Sequence, residues 1–204
     1  MIDDKSYVLD DNKYIKRVTS KTRIVIGNTF LTKMKHYIGW NNRYNGKYDK
    51  CAMFSIRLDG NIFQHFPPKY FSNFMDDITI NESTITIVLE NEGWLIKDLN
   101  HKNKFVNYVY DIYNRDESVF EKKWRNHEYW APYTIKQEKS LSVLISKLCD
   151  EFNIPKVVIE HNTSFEDATE FNGVLYRSNF EKYYTDISPA WDFNSFKKLV
   201  EQNN

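Results

Sequence analysis

The sequence predicts a single α/β domain, a mixed central sheet flanked by helices, and three features carry that expectation. Short β-branched apolar runs, RIVIGN at 23–28, TITIVLE at 84–90 and KVVIE at 156–160, read as strands buried on both faces. Residues 134–152 place Leu141, Leu144, Ile145, Leu148, Cys149 and Phe152 on one face of a helix. The order strand, helix, hairpin, strand, long helix, strand is that of one layered α/β unit. At 204 residues the chain suffices for one domain with a sizeable core and is short for two.

Taken in order, residues 1–22 are mostly polar and read as an N-terminal arm, with the domain proper spanning 23–204. The strand at 23–28 closes on Gly27-Asn28, and a helix or irregular turn follows over 29–40. NNRYNGKYDK (41–50) is a polar loop with an Asn-Gly turn. Asp59-Gly60 between apolar runs at 51–58 and 61–66 predicts a β-hairpin. Pro67-Pro68 breaks the chain before a short helix expected around 69–75. The run at 84–90 is the central strand; Asn91-Glu92-Gly93 ends it, and a polar, aromatic insertion fills 97–133. Thr134 and Gln137 form a capping box for the long helix, which Pro155 stops. The strand at 156–160 ends at His161-Asn162, a loop runs through 165–172, and 195–202 is a closing helix.

Composition narrows the function classes. Lys plus Arg and Asp plus Glu both number 28, so the chain lacks the concentrated positive field that nucleic acid or an anionic membrane requires. No apolar run approaches the roughly 18 residues of a bilayer span. The first twenty residues have no apolar core, so they do not read as a signal peptide, and the expected location is the cytoplasm of the producing cell. The 2 cysteines, Cys51 and Cys149, lie far apart in apolar segments and read as buried thiols, too few for a Cys-based metal site. Aromatic residues make up 16% of the chain, enough to fill a core and still line a groove.

The chemistry gathers around YRSNFEKYYTDISPAWDF (176–193). Pro189 cannot continue a strand or helix interior, so Asp186 sits on a sharply turned loop that Trp191 and Phe193 can anchor. An Asp so held suits a metal-ligand loop and equally a helix-capping turn.

Together, RIVIGNTF (23–30), FSIRLDGNIFQHFPP (54–68), TITIVLENEGWL (84–95), YWAPYTIKQEKSLSVLISKL (129–148), FNIPKVVIEHN (152–162) and TDISPAWDF (185–193) resemble the zinc-dependent N-acetylmuramoyl-L-alanine amidases, the group that includes phage endolysins and peptidoglycan recognition proteins. That resemblance implies a zinc held by two His and one Asp or Cys, with an open position for water. It also implies a Glu or Tyr general base and a Lys that stabilises the oxyanion, acting on the bond between the lactyl group of muramic acid and L-alanine.

Carried over position by position, most of that set is replaced. The first His position is Gly27, which has no side chain to ligate with. The base falls on Val88 where the family uses Glu, and on Ala52, beside Met53, where it uses Tyr. The oxyanion Lys position is Tyr184. Asp186 is retained. The second His matches His161 if it follows the strand after the long helix, or Arg177 if it lies nine residues before Asp186. His161 is preferred, because a strand end pre-organises a ligand, which leaves His161 and Asp186 as a vestigial metal pair. His36 is the one substitute within reach of the first strand; His65, His101 and His127 read as structural or solvated. Without a metal-activated hydroxide and an oxyanion donor, hydrolysis is not expected: the first loss leaves water's pKa near about 15.7 instead of about 7, and the second costs roughly 10²–10³ in rate.

What remains is a groove. Trp40, Trp94, Trp124, Tyr129, Trp130 and Tyr133 lie at segment ends or in the insertion, and Arg125 and Arg177 are candidates to grip a stem-peptide carboxylate. The expected function is a catalytically degenerate, phage-encoded amidase-like protein, without cofactor, that binds peptidoglycan or a protein partner. The alternatives are a virion structural or assembly component built on the same scaffold, and an active zinc amidase using His36, His161 and Asp186.

Overall fold

A computed structural model describes residues 5–101, 104–163 and 165–202. A five-stranded sheet runs in the order β3-β2-β4-β1-β9. Its members are β1 (Arg23–Asn28), β2 (Phe54–Ile56), β3 (Ile62–Gln64), β4 (Thr84–Leu89) and β9 (Gly173–Tyr176). β2, β4, β1 and β9 are parallel neighbours, and β3 returns antiparallel through the Asp59-Gly60 turn. Every residue of β1 and β4 is buried, as runs without polar alternation require of strands covered on both faces.

One face carries α3 (Ile135–Phe152), which begins at the expected capping box on Thr134 and Gln137. Gln137 Nε2 also donates to Glu90 O at 2.8 Å, and Thr134 Oγ1 to Leu58 O at 2.7 Å, which ties the helix start to the ends of β4 and β2. α5 (Phe193–Glu201) packs beside α3 through Phe196 and Val200. Shorter helices α1 (Lys35–Asn42), α2 (Ile78–Ser83) and α4 (Phe165–Glu170) fill the connections.

Residues 94–130 form a second, antiparallel sheet of four strands in the order β6-β5-β8-β7. These are β5 (Trp94–Lys97), β6 (Phe105–Val106), β7 (Phe120–Trp124) and β8 (His127–Trp130). The insertion is therefore an element in its own right, centred on Trp130, which is fully buried and donates Nε1–H to Lys122 O at 2.8 Å.

Three local expectations give way. The helix expected at 69–75 is an extended, turned segment whose Phe71 and Phe74 point into the core, and the helix begins later, where Asp77 caps Thr79 and Ile80. The stretch 156–160 makes only one parallel bridge, Val158 to Val174, and the sheet edge is β9 instead. Gly173 makes β9 possible: it sits at φ +139, and a Cβ there would lie 2.6 Å from Val157 O. The described part of the N-terminal segment is packed on the body. Leu9 N–H donates to His65 O at 2.9 Å, and the Lys13 ammonium, buried, donates to Trp40 O at 2.8 Å and Gly46 O at 2.6 Å near the C-terminus of α1.

Candidate functional site

The parallel register brings three strand ends together. Gly27 pairs with Val88 across β1 and β4, and Ile26 pairs with Tyr176 across β1 and β9, so Gly27, Val88 and Arg177 emerge at one edge. Ligands of open α/β sheets gather outside such carboxyl ends. Here a cleft of about 430 Å³ opens, lined by Asn28, Thr29 and Val88 from the strands, His36 and Trp40 from α1, and Trp94 from β5. Arg43, Tyr48, Lys50, Phe74, Arg177 and residues 183–186 are the other main lining residues.

Asp186 lies at the centre and is fully buried. Its Oδ2 accepts from Asn28 N–H at 3.0 Å, its backbone carbonyl accepts from Ser178 N–H at 2.7 Å, and Oδ1 has no partner among the described residues. Burial pushes this carboxyl above its ordinary value, with Arg177 pulling the other way. The carboxylate sits against the backbone of Gly27: a Cβ there would stand 2.8 Å from Asp186 Oδ2 and 3.2 Å from Phe74 Cζ. Asp186 is not the capping residue of the closing helix. That role belongs to Asp192, which accepts from Ser195 N–H at 2.9 Å.

Arg177 is pinned. Its guanidinium lies 4.5 Å from the Phe74 ring centroid and 4.0 Å from that of Tyr184, and Nη2 donates to Phe74 O at 3.1 Å. Tyr184 and Tyr183 in turn donate to Asp76 Oδ2 at 3.1 and 2.9 Å, and Lys50 pairs with the same carboxylate.

Of the two positions weighed for a second ligand, the structure places Arg177 and not His161 at the cleft. His161 stacks on Phe193 at 3.9 Å and lies 5.0 Å from Trp124, outside the lining. Burial first, then Arg125, holds its imidazole down at about 4. The groove residues divide likewise. Trp40 and Trp94 line the cleft; Tyr129 and Trp130 do not, packing within the second sheet, nor does Trp124, which lies against Trp130 and His161 and donates Nε1–H to Asn162 Oδ1 at 2.9 Å. Tyr133 lies behind the site, its hydroxyl accepting from Ser188 N–H at 3.3 Å and Asn28 Nδ2 at 3.5 Å.

Arg125 is occupied as well. From the β7–β8 turn its guanidinium donates to Ser178 O and Glu181 O at 2.7 Å each, and to Tyr184 O, latching the loop that presents Asp186. It holds the site and does not enter it. His36 does line the cleft, with neither ring nitrogen bonded among the described residues; burial first, then His65, lowers it to about 3, so it is neutral at pH 7.

The zinc implied by the resemblance does not fit these residues. Among the described residues no three His, Cys, Asp or Glu side chains are grouped to hold a metal ion, and His36, His161 and Asp186 are not brought together. Beside the one carboxylate stands a guanidinium that cannot be deprotonated, which repels a cation instead of binding it.

Arg43, Tyr48, Lys50 and Phe74 line the cleft although the sequence placed the first three in a polar loop and Phe74 in a short helix. No local pattern marks them: Arg43, Tyr48 and Lys50 lie in the connection from β1 to β2, and Phe74 in the one from β3 to β4.

The family model for N-acetylmuramoyl-L-alanine amidase matches residues 18–172. The chain belongs to that family. The match stops short of Arg177 and Asp186, the part of the site carried by β9 and the last loop. Solved amidase structures share the fold. The amidase LysC from Clostridium intestinale is 14% identical, with 93% of each chain covered and a TM-score of 0.51. PlyL is 11% identical, covering 97% of this chain and 95% of its own, with a TM-score of 0.53. The PlyG catalytic domain is 12% identical, covering 97% and 92%, with a TM-score of 0.51. No curated protein matches the sequence.

Proposed function

We propose that this amidase-family chain binds a peptidoglycan fragment in its cleft without hydrolysing it. One observation carries the reading: at the end of β9, beside Asp186, stands the fixed cation Arg177, while the neighbouring position on β1 is a glycine whose missing Cβ leaves room for the carboxylate. The family name supplies the ligand class, a muramoyl group, whose bond to L-alanine the family cleaves.

The residues present support recognition. Trp94, Tyr108 and Phe30 give the cleft aromatic faces suited to sugar rings, and the free N–H groups of Arg177 suit a ligand oxygen. They do not support hydrolysis. Val88 cannot accept a proton, Tyr184 is engaged by Asp76 and Arg177, and Asp186 is fully buried with Oδ2 bonded to Asn28 N–H.

The test is retention on purified sacculi together with assay of soluble muropeptide. Retention without release is expected. Release at rates typical of enzymes overturns the reading in favour of an active amidase, and failure to be retained overturns it in favour of a scaffold kept for assembly or for a protein partner.

A further inference from the structure

Resting on that reading, we infer that the cleft is selective for a carboxylate on the sugar: the free lactyl acid of N-acetylmuramic acid after its stem peptide has been removed. The charge of the site points there. Three cations, Arg43, Lys50 and Arg177, face the cleft against a single lining acid, Asp186, which is fully buried. Lys50 is neutralised by Asp76, which leaves Arg43 and Arg177 against Asp186, one cation in excess. Arg43 is exposed at the rim, its guanidinium 5.5 Å from the Tyr48 ring centroid.

Arg177 is the group best placed to read such a charge. Only Nη2 has a partner among the described residues, and Nε is buried without one. The Phe74 and Tyr184 rings hold the guanidinium plane, so little side-chain freedom is left to lose on binding.

The reacting carbonyl of an intact muramoyl peptide is a neutral amide. Hydrolysis breaks its C–N bond, adds water oxygen to the carbonyl carbon, and leaves a lactyl carboxylate while the alanine nitrogen departs as an amine and takes up a proton. Arg177 makes an ordinary hydrogen bond to the amide and a charge-assisted, bidentate one to the carboxylate, a preference of about tenfold. A muramoyl-alanine amide hydrolase must therefore supply the ligand, and this chain acts after it.

The experiment titrates ¹⁵N-labelled protein with N-acetylmuramic acid, its neutral lactyl amide, N-acetylmuramoyl-L-alanyl-D-isoglutamine and N-acetylglucosamine. The acid is expected to bind about tenfold more tightly than the amide. Arg177→Gln should erase that preference, and Arg43→Gln should reduce it in a background where the Phe74–Arg177–Tyr184 stack is untouched. Equal affinity for acid and amide overturns the inference, as does tighter binding of the muramoyl peptide, whose carboxylate lies on the peptide; both outcomes leave fragment binding standing. Retention on sacculi with none of the four bound also overturns the carboxylate inference alone. Binding neither these ligands nor sacculi removes the underlying reading as well.

Discussion

The two sheets solve different problems. The five-stranded sheet buries β1 and β4 completely and brings its parallel strand ends to one edge, where Gly27, Val88 and Arg177 meet around Asp186. The four-stranded sheet has an exposed, charged edge strand, β7, and contributes only Trp94 and its connecting Tyr108 to the cleft. Yet that sheet controls the cleft's last wall, because Arg125 holds three carbonyls of the 178–184 loop. The core sheet sets which side chains meet, and the outer sheet sets where the Asp186 loop sits.

Breaking the latch is the strongest way to separate the two. Arg125→Ala removes three charge-assisted hydrogen bonds and should cost about 2–4 kcal/mol of stability. Urea denaturation checks it, and Arg125→Lys should recover part, since one ammonium cannot serve three carbonyls in a planar fork. Wild-type stability after Arg125→Ala would mean the outer sheet is decoupled from the site.

Acid should act through the core next. His65 is fully buried, its ring nitrogens bonded to Tyr7 O and Ser55 Oγ, and burial holds it at about 4 against an ordinary value near 6.5. A depressed imidazole contributes stability that is present above about pH 6.5 and lost as pH falls through about 4. Charging it costs roughly 3 kcal/mol. His36 and His161, lowered to about 3 and about 4, add in the same direction. Denaturation midpoints between pH 7 and 4 should fall steadily; a flat profile would contradict these buried neutral rings.

Gly27→Ala sharpens the comparison at one atom. The new Cβ meets Asp186 Oδ2 at 2.8 Å, so overpacking should cost about 1–3 kcal/mol by the same urea measurement. Asp186→Asn should do the opposite. Burial raises the Asp186 carboxyl, so its contribution is fully present below its ordinary value of 3.8 and is lost as pH rises. The Asn variant should therefore be more stable than wild type at pH 7, with the gap closing below about pH 4; a variant less stable at pH 7 would mean that Asp186 is held by a favourable charge interaction.

Much of the core sheet was legible. Unbroken β-branched runs announce strands buried on both faces, and Thr134 with Gln137 announces the helix. Gly27 and Val88 were legible as strand-end neighbours because each run carries its register with it. Arg177 was named as a groove residue but not preferred as the position beside Asp186, since choosing it over His161 requires knowing which of two apolar stretches forms the sheet edge. That choice turns on Gly173, whose close approach to Val157 O leaves no local pattern. The outer sheet was illegible for another reason: all but the last residue of β7 are exposed, so no apolar alternation marks it. Nor did spacing say that Arg125 bonds backbone rather than ligand, because its partners lie more than fifty residues away.

We propose that the groups which hold a metal in the family are replaced here around Asp186. Elemental analysis of protein purified without a His tag tests it most directly. The account predicts zinc far below one atom per chain, unchanged by Asp186→Asn; one tightly held zinc per chain, lost in that variant, would contradict it.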